Sequence, residues 1–220
     1  MLKHLSIAMA GLLTAASALA AGPVVAPVSP MKWQENKNYF LVEPPQPTAS
    51  GGKVEVLEVF SYACVHCAHF QPVADKIKKS LPSYAEYSYM PAIFNAQWQP
   101  FARAFYTAQS MGVLDKTHTA LFEAIHAEKK PVNDMNSLAA WYGEHGVDQA
   151  KFLSTSTSFE VESKMARSLA MVPKYGIDGT PSIIVDGKFR LSRNSAGTDE
   201  DMMELVAYLV DKAHREKALK

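Results

Sequence analysis

The sequence has little cysteine, no excess charge of either sign, and no apolar run long enough to span a bilayer. Only two of the 220 residues are cysteine, too few for a scaffold stapled by disulfides. Basic and acidic residues number 22 each, so nothing indicates binding to nucleic acid or to an anionic membrane surface. A chain of this length can build one substantial core, or one domain that carries a large insertion.

Residues 1–21 have the organisation of a secretory signal peptide. Lys3 contributes to a short basic start, residues 5–13 are apolar, and residues 18–20 (Ala-Leu-Ala) form a small-residue cleavage site. The apolar run is too short for a membrane span, and no cysteine follows it that could carry a lipid. We therefore predict an exported protein whose mature chain begins near Gly22.

The two cysteines, Cys64 and Cys67, form a C-x-x-C motif where a predicted strand meets a predicted helix. Residues 54–60 (VEVLEVF) are β-branched and apolar, and residues 68–81 have helix-forming composition. A sulfur at a helix N-terminus lies among unpaired N–H groups, which favours the reactive thiolate. A disulfide here would close a tiny loop and remove little chain entropy, so it would be a poor structural staple. The motif is therefore typical of a redox-active or a metal-binding pair.

A zinc site is the alternative interpretation of the motif. Structural zinc usually needs four Cys or His ligands, and the sequence has no second C-x-x-C or H-x-x-x-H cluster. Metal content of the purified chain would test this alternative. The histidines that could supplement the cysteines are His66, His69, His118, His126 and His145.

Glu58 lies on the predicted strand, six positions before the first cysteine. The two-residue period of a strand places it on one face with Val54, Val56 and Phe60. Apolar residues occur on both faces, which predicts a central strand that is covered on both sides. The carboxylate is either exposed near the strand end or partly buried. In the second case its pKa is raised, and it can shuttle a proton for the second cysteine.

The order of predicted elements is β–α–β, a helical insertion, then β–β–α. Helical patterns fill residues 97–175, and the Asp186-Gly187 pair predicts a hairpin after the strand that follows Pro181. This order predicts an α/β, thioredoxin-like fold with an inserted all-helical domain. The predicted organisation is a signal peptide at 1–21, a Pro-rich lead-in with a possible edge strand at 22–50, a thioredoxin-like domain at 51–95 and 176–220, and the inserted helical domain at 96–175.

Four features occur together: the export signal, the segment VLEVFSYACVHC, the helical insertion and the segment GTPSIIVDGKF. In this combination the chain resembles the DsbA family of periplasmic thiol:disulfide oxidoreductases, over about residues 33–213. The resemblance implies a periplasmic monomer whose only redox group is the Cys64–Cys67 disulfide, with no separate cofactor.

The resemblance also implies roles for the residues of the first motif. Cys64 matches the exposed nucleophile that forms a mixed disulfide with substrate, and Cys67 matches the buried resolving cysteine. His66 matches the histidine that stabilises the Cys64 thiolate. Glu58 matches a buried glutamate of the family, whose lysine partner on the next strand is missing. Tyr89 stands at about that place.

The second motif resembles the loop that faces the cysteines in this family. Thr180-Pro181 matches its cis-proline, and the residue before that proline lines the substrate site. Many members have valine where this chain has Thr180, and proline where it has Val65. The resemblance implies that a concave apolar surface near Cys64 and Pro181, framed by aromatic residues of the insertion, binds extended peptide.

The function implied is donation of the disulfide to newly exported, unfolded proteins with free thiols. A DsbB-like quinone-linked membrane oxidase would then reoxidise the pair. Two alternatives stay open beside the zinc protein. One is a reductase or disulfide isomerase on the same fold, and the other is a peptide-binding chaperone in which the cysteines are incidental.

Overall fold

The computed structural model describes residues 32–219, which form a mixed sheet and, within that range, seven α-helices. The predicted signal peptide and the start of the lead-in lie outside the described residues. In chain order the elements are β1 (Phe40–Leu41), β2 (Val54–Phe60), α1 (Val65–Ser80), β3 (Ala85–Pro91), α2 (Gln99–Ser110), α3 (Leu114–His126), α4 (Met135–Glu144), α5 (Gln149–Ser156), α6 (Phe159–Lys174), β4 (Ser182–Val185), β5 (Phe189–Ser192) and α7 (Asp199–Ala218).

The sheet has the strand order β1-β5-β4-β2-β3. β2 is central, parallel to β3 and antiparallel to β4, and β5 is antiparallel to both of its neighbours. All seven residues of β2 are buried, which confirms the prediction of a central strand. The parallel β2–β3 pair is joined by α1, as a parallel connection requires.

Each face of β2 contributes to a different part of the core. Val54 and Val56 pack with apolar side chains of α1, β4 and α7. Leu57 and Val59 pack on the opposite face with side chains from β3 and from the end of α6. The sheet is therefore covered by helices on both faces, and a seven-residue apolar strand is stable there because it exposes no edge or face to water.

Helices α2–α6 lie between β3 and β4 in the chain and share a core of aromatic and aliphatic side chains. That core also takes in Phe60 and Tyr62, at the carboxyl end of β2. The start of α4 is held by a capping box on Asp134, and Ser158 caps α6. The helical insertion thus packs directly against the segment that leads into the cysteines.

Candidate active site

The cysteines lie where the sequence predicted them, at the junction of β2 and α1. β2 ends at Phe60, Cys64 is the N-cap of α1, and Cys67 lies in the first turn of that helix. A tight turn connects the two elements, because the Cys64 N–H donates to the Ser61 carbonyl over 3.0 Å. Both cysteines are free thiols, with Cys64 partly exposed and Cys67 fully buried.

The two thiols have pKa values displaced in opposite directions. Hydrogen bonding from the Cys67 thiol is the largest effect that lowers the pKa of Cys64, to about 5, and the main-chain N–H groups of Cys67 and His66 add to it. Burial raises the pKa of Cys67 well above its ordinary value. At neutral pH the arrangement holds Cys64 as a thiolate and Cys67 as a thiol.

The loop before β4 approaches the cysteines from across the sequence. The Thr180–Pro181 peptide bond is cis, as the resemblance implied. The Cys64 sulfur lies 3.4 Å from the Thr180 carbonyl oxygen, 116 positions along the chain, and donates to it when the thiol is protonated. The Thr180 hydroxyl is buried and has no hydrogen-bond partner among the described residues, and its proximity lowers the pKa of both thiols. A thiolate on Cys64 would give that hydroxyl an acceptor.

Glu58 is fully buried, so the possibility of an exposed carboxylate is wrong. The Tyr87 hydroxyl donates to its Oε2 over 2.8 Å, while Oε1 has no partner within residues 32–219. Burial raises the pKa of Glu58 to about 7, against the lowering effect of the Tyr87 hydrogen bond. Tyr89 lies where the sequence placed it, on the neighbouring strand beside Glu58. Tyr89 is opposite Glu58 in the strand register, but the side chain that bonds the carboxylate comes from two residues earlier.

His66 and Val65 are exposed on the first turn of α1. The main-chain N–H of His66 lowers the pKa of Cys64, and His66 lines a groove of about 350 Å³ beside Pro181. Most of the side chains that line this groove are polar and none comes from α2–α6, so it differs from the apolar surface that the resemblance implied. Besides His66, Gly179 and Pro181, the groove is lined by Asp178, Thr180, Ser182, Ser192, Arg193 and Asn194.

Sequence reasoning missed the contacts of two histidines with the segment before Cys64. The hydroxyl oxygen of Tyr62 and Nδ1 of His118 share a hydrogen bond of 2.8 Å, and His126 Nε2 lies 2.7 Å from the Tyr62 carbonyl oxygen. The two histidines had been considered only as zinc ligands. Across residues 32–219 no three His, Cys, Asp or Glu side chains are grouped so that they could hold a metal ion. In the same range, no helix is both long and apolar enough to cross a membrane.

A thioredoxin-like sheet with a helical insertion, and a C-x-x-C pair that faces a cis-proline, defines the class of thiol:disulfide oxidoreductases with a thioredoxin fold. The family model for a DSBA-like thioredoxin domain matches residues 55–211. The chain therefore belongs to the DsbA-like family, whose members are disulfide oxidoreductases.

Relatives and solved structures agree with this assignment. The chain is 36% identical over 176 residues to the thiol:disulfide interchange protein DsbA of Pseudomonas aeruginosa, covering 80% of this chain and 83% of that protein. It is 37% identical over 187 residues to DsbA of Bordetella parapertussis, and the match covers 85% of this chain and 88% of that protein. The crystal structure of Pseudomonas aeruginosa DsbA superimposes with a TM-score of 0.79 at 36% identity, over 86% of this chain and 97% of that one. The crystal structure of reduced DsbA1 from Neisseria meningitidis superimposes with a TM-score of 0.76 at 28% identity, over 87% of this chain and 100% of that one.

Proposed function

We propose that the protein oxidises the thiols of newly exported, unfolded proteins by donating its Cys64–Cys67 disulfide. The observation that carries the proposal is the asymmetry between the thiols. Cys64 is partly exposed with a pKa lowered to about 5, whereas Cys67 is buried with a raised pKa. A stabilised Cys64 thiolate favours the reduced pair and so makes the disulfide a strong oxidant.

The reaction has two exchange steps. A substrate thiolate attacks the Cys64 sulfur, so that a mixed disulfide forms, the Cys64–Cys67 bond breaks and Cys67 leaves as a thiolate. A second substrate thiolate then attacks the substrate sulfur of the mixed disulfide and releases Cys64 as a thiolate. The substrate loses two electrons and gains a disulfide, while the enzyme pair is reduced. Cys64 is the better leaving group because its pKa is low.

The first step needs a proton, because a buried Cys67 thiolate is strongly disfavoured. We assign Glu58 as the source of that proton, directly or through a water molecule. A carboxyl with a pKa of about 7 is partly protonated at neutral pH, so it can both give and take a proton there. Tyr87 holds the carboxyl in place from the neighbouring strand.

Substrate would bind in the polar groove beside Pro181. The groove brings together His66, Thr180 and Arg193, and their polar groups suit the main chain of an extended peptide better than apolar side chains. Val65, which follows Cys64 and is 42% exposed, offers one apolar contact. This arrangement supports contact with many unfolded chains, since main-chain groups are common to all of them.

We further propose that residues 1–21 are a cleaved signal peptide and that the mature protein is a periplasmic monomer. A DsbB-like quinone-linked membrane oxidase would return the pair to the disulfide. We retain the division into a thioredoxin-like domain at 51–95 and 176–220 and a helical domain at 96–175. The relatives' name, thiol:disulfide interchange protein, supports a cycle in which the pair exchanges disulfides with other proteins.

The deciding experiment is the reduction potential of the Cys64–Cys67 pair, measured by equilibration with glutathione buffers. We expect a value far above the roughly −270 mV of thioredoxin, towards the roughly −120 mV known for DsbA, the family to which this chain belongs. Cys64→Ser should abolish dithiol oxidation. A potential near that of thioredoxin would contradict the oxidase and favour a reductase. Failure to form the disulfide would favour a metal-binding protein or a chaperone.

A further inference from the structure

The peptide unit between Tyr62 and Ala63 is hydrogen-bonded at both of its polar groups. His126 Nε2 lies 2.7 Å from the Tyr62 carbonyl oxygen, and the Ala63 N–H donates to Ser61 Oγ over 3.2 Å. A peptide unit is planar, so two bonds on opposite sides fix the orientation of the whole plane. The next residue is Cys64, so these two contacts, together with the bond from the Cys64 N–H to the Ser61 carbonyl, set the path of the chain into the reactive cysteine.

The direction of the His126 bond follows from its acceptor. A carbonyl oxygen has no proton to give, so the imidazole must carry a proton on Nε2 and donate it. His126 is the last residue of α3, in the helical insertion, and it is only partly buried. Its ring lines an open groove of about 270 Å³ between α1 and α3. A substitution there should therefore remove the bond without opening a cavity in the core.

The side chain of Tyr62 is held from the same helix. Its hydroxyl oxygen is 2.8 Å from Nδ1 of His118, and both residues are buried. Burial lowers the pKa of His118 to about 3, so the ring is neutral at physiological pH. The ring of Tyr62 also packs against Phe122 of α3, with centroids 4.9 Å apart. One helix of the insertion thus binds both the main chain and the side chain of the residue two positions before Cys64.

We propose that His126 is a positioning residue for Cys64, which orients the Tyr62–Ala63 peptide so that the Cys64 sulfur faces the N–H groups of His66 and Cys67. Without the bond, the plane of that peptide can rotate and carry the start of α1 with it. The sulfur would then spend less time in front of the donors that stabilise its thiolate. The helical insertion would in this way contribute to the chemistry of the cysteine as well as to the core.

The test is a titration of the Cys64 thiolate by its ultraviolet absorbance in the reduced protein. His126→Leu removes the donor, and we expect the pKa of Cys64 to rise by about one unit, a roughly tenfold change in the ionisation equilibrium. His126→Gln carries a side-chain N–H of similar reach and should restore most of that shift. Thr119→Ala, which alters the same helix and lines the same groove, is the matched control and should not move the titration.

The proposal is overturned if His126→Leu lowers the melting temperature but leaves the Cys64 titration unchanged, or if the Gln variant titrates as the Leu variant does. Should His126→Leu fail to fold, the comparison of His126→Asn with His126→Gln decides. The shorter amide cannot reach the carbonyl, so equal titrations of the two would overturn the proposal. The titration measures the ionisation of Cys64, not the direction of the redox reaction. If the wild type had a potential like that of thioredoxin, the oxidase proposal would fail but this test would still be valid.

Discussion

Cys64 and Cys67 are chemically identical and three positions apart, yet their pKa values move in opposite directions. The difference comes from what surrounds each sulfur. The Cys67 thiol and then main-chain N–H groups of the first turn lower the pKa of Cys64, the N-cap of α1, whereas Cys67 lies within that first turn and is completely buried. The surroundings of Cys64 stabilise a thiolate, and the burial of Cys67 disfavours one. Two cysteines in one turn of helix therefore act as a nucleophile and as a protonated thiol.

Tyr87 is the residue that most directly controls Glu58. Its hydroxyl donates to the carboxylate and opposes the effect of burial, which raises the pKa of Glu58 to about 7. We expect Tyr87→Phe to raise that pKa further, because the buried charged form loses its only hydrogen-bond donor within residues 32–219. A titration of the Glu58 carboxyl carbon by NMR measures the change.

Tyr84→Phe is the control for this titration, since the Tyr84 hydroxyl donates to Asp211 on the protein surface, away from Glu58. It should leave the Glu58 titration where it is in the wild type. An unchanged or lower pKa of Glu58 in Tyr87→Phe would show that the hydroxyl does not stabilise the carboxylate.

Among the elements, the β4–β5 hairpin places the loop of Thr180 and Pro181 against Cys64, because β4 begins at the next residue. Its turn has positive φ at both central residues, 53° at Asp186 and 65° at Gly187. This is the geometry that the Asp-Gly pair predicted. The Gly187 carbonyl also accepts from the Gln46 N–H over 2.9 Å, which ties the lead-in to the hairpin.

Gly187→Ala should destabilise the protein for two reasons that can be separated. A side chain at positive φ costs about 1–2 kcal/mol, and here the new Cβ would also collide with the carbonyl oxygen of Gln46. We therefore expect a loss of about 2–4 kcal/mol in the free energy of unfolding, measured with a chemical denaturant.

Gly112 provides the comparison, because its φ is 69° and no atom lies within 4 Å of a Cβ built there. Gly112→Ala should cost only the conformational part, about 1–2 kcal/mol. Equal losses in the two variants would mean that the lead-in moves away from the hairpin at little cost.

At the scale of the whole molecule, the redox state of the cysteine pair is linked to the stability of the fold. The Cys64 pKa is about 5 in the folded protein, against an ordinary value of 9.0. A lowered pKa of an acidic group adds stability that is fully present above pH 9 and is lost as the pH falls through 5. The oxidised protein has no thiol at this position and therefore lacks this contribution.

We therefore expect the free energy of unfolding of the reduced protein, relative to the oxidised protein, to rise steadily from pH 5 to pH 8. The raised pKa of Cys67 adds nothing in this range, since that thiol is protonated in both the folded and the unfolded chain. Denaturant unfolding of both redox states at several pH values measures the difference. Reduced Cys64→Ser should not show the rise, and a flat or falling difference in the wild type would contradict a stabilised thiolate.

Features that depend on neighbours along the chain could be predicted from the amino-acid order alone. The apolar period of β2, the position of both cysteines at a strand–helix junction and the Asp-Gly hairpin were all predictable. These signals are local, because hydrophobic periodicity and turn type each depend on only a few consecutive residues. The α/β order with a helical insertion followed from the same patterns, and with it the class of fold.

Which distant side chains meet became known only from the folded chain. Thr180 reaches Cys64, Tyr87 rather than Tyr89 bonds Glu58, and His126 bonds the carbonyl of Tyr62. The polar lining of the groove beside Pro181 also emerged only in three dimensions. Such contacts depend on strand register, on the direction of each side chain and on how distant elements pack, none of which leaves a signal in a short stretch of residues.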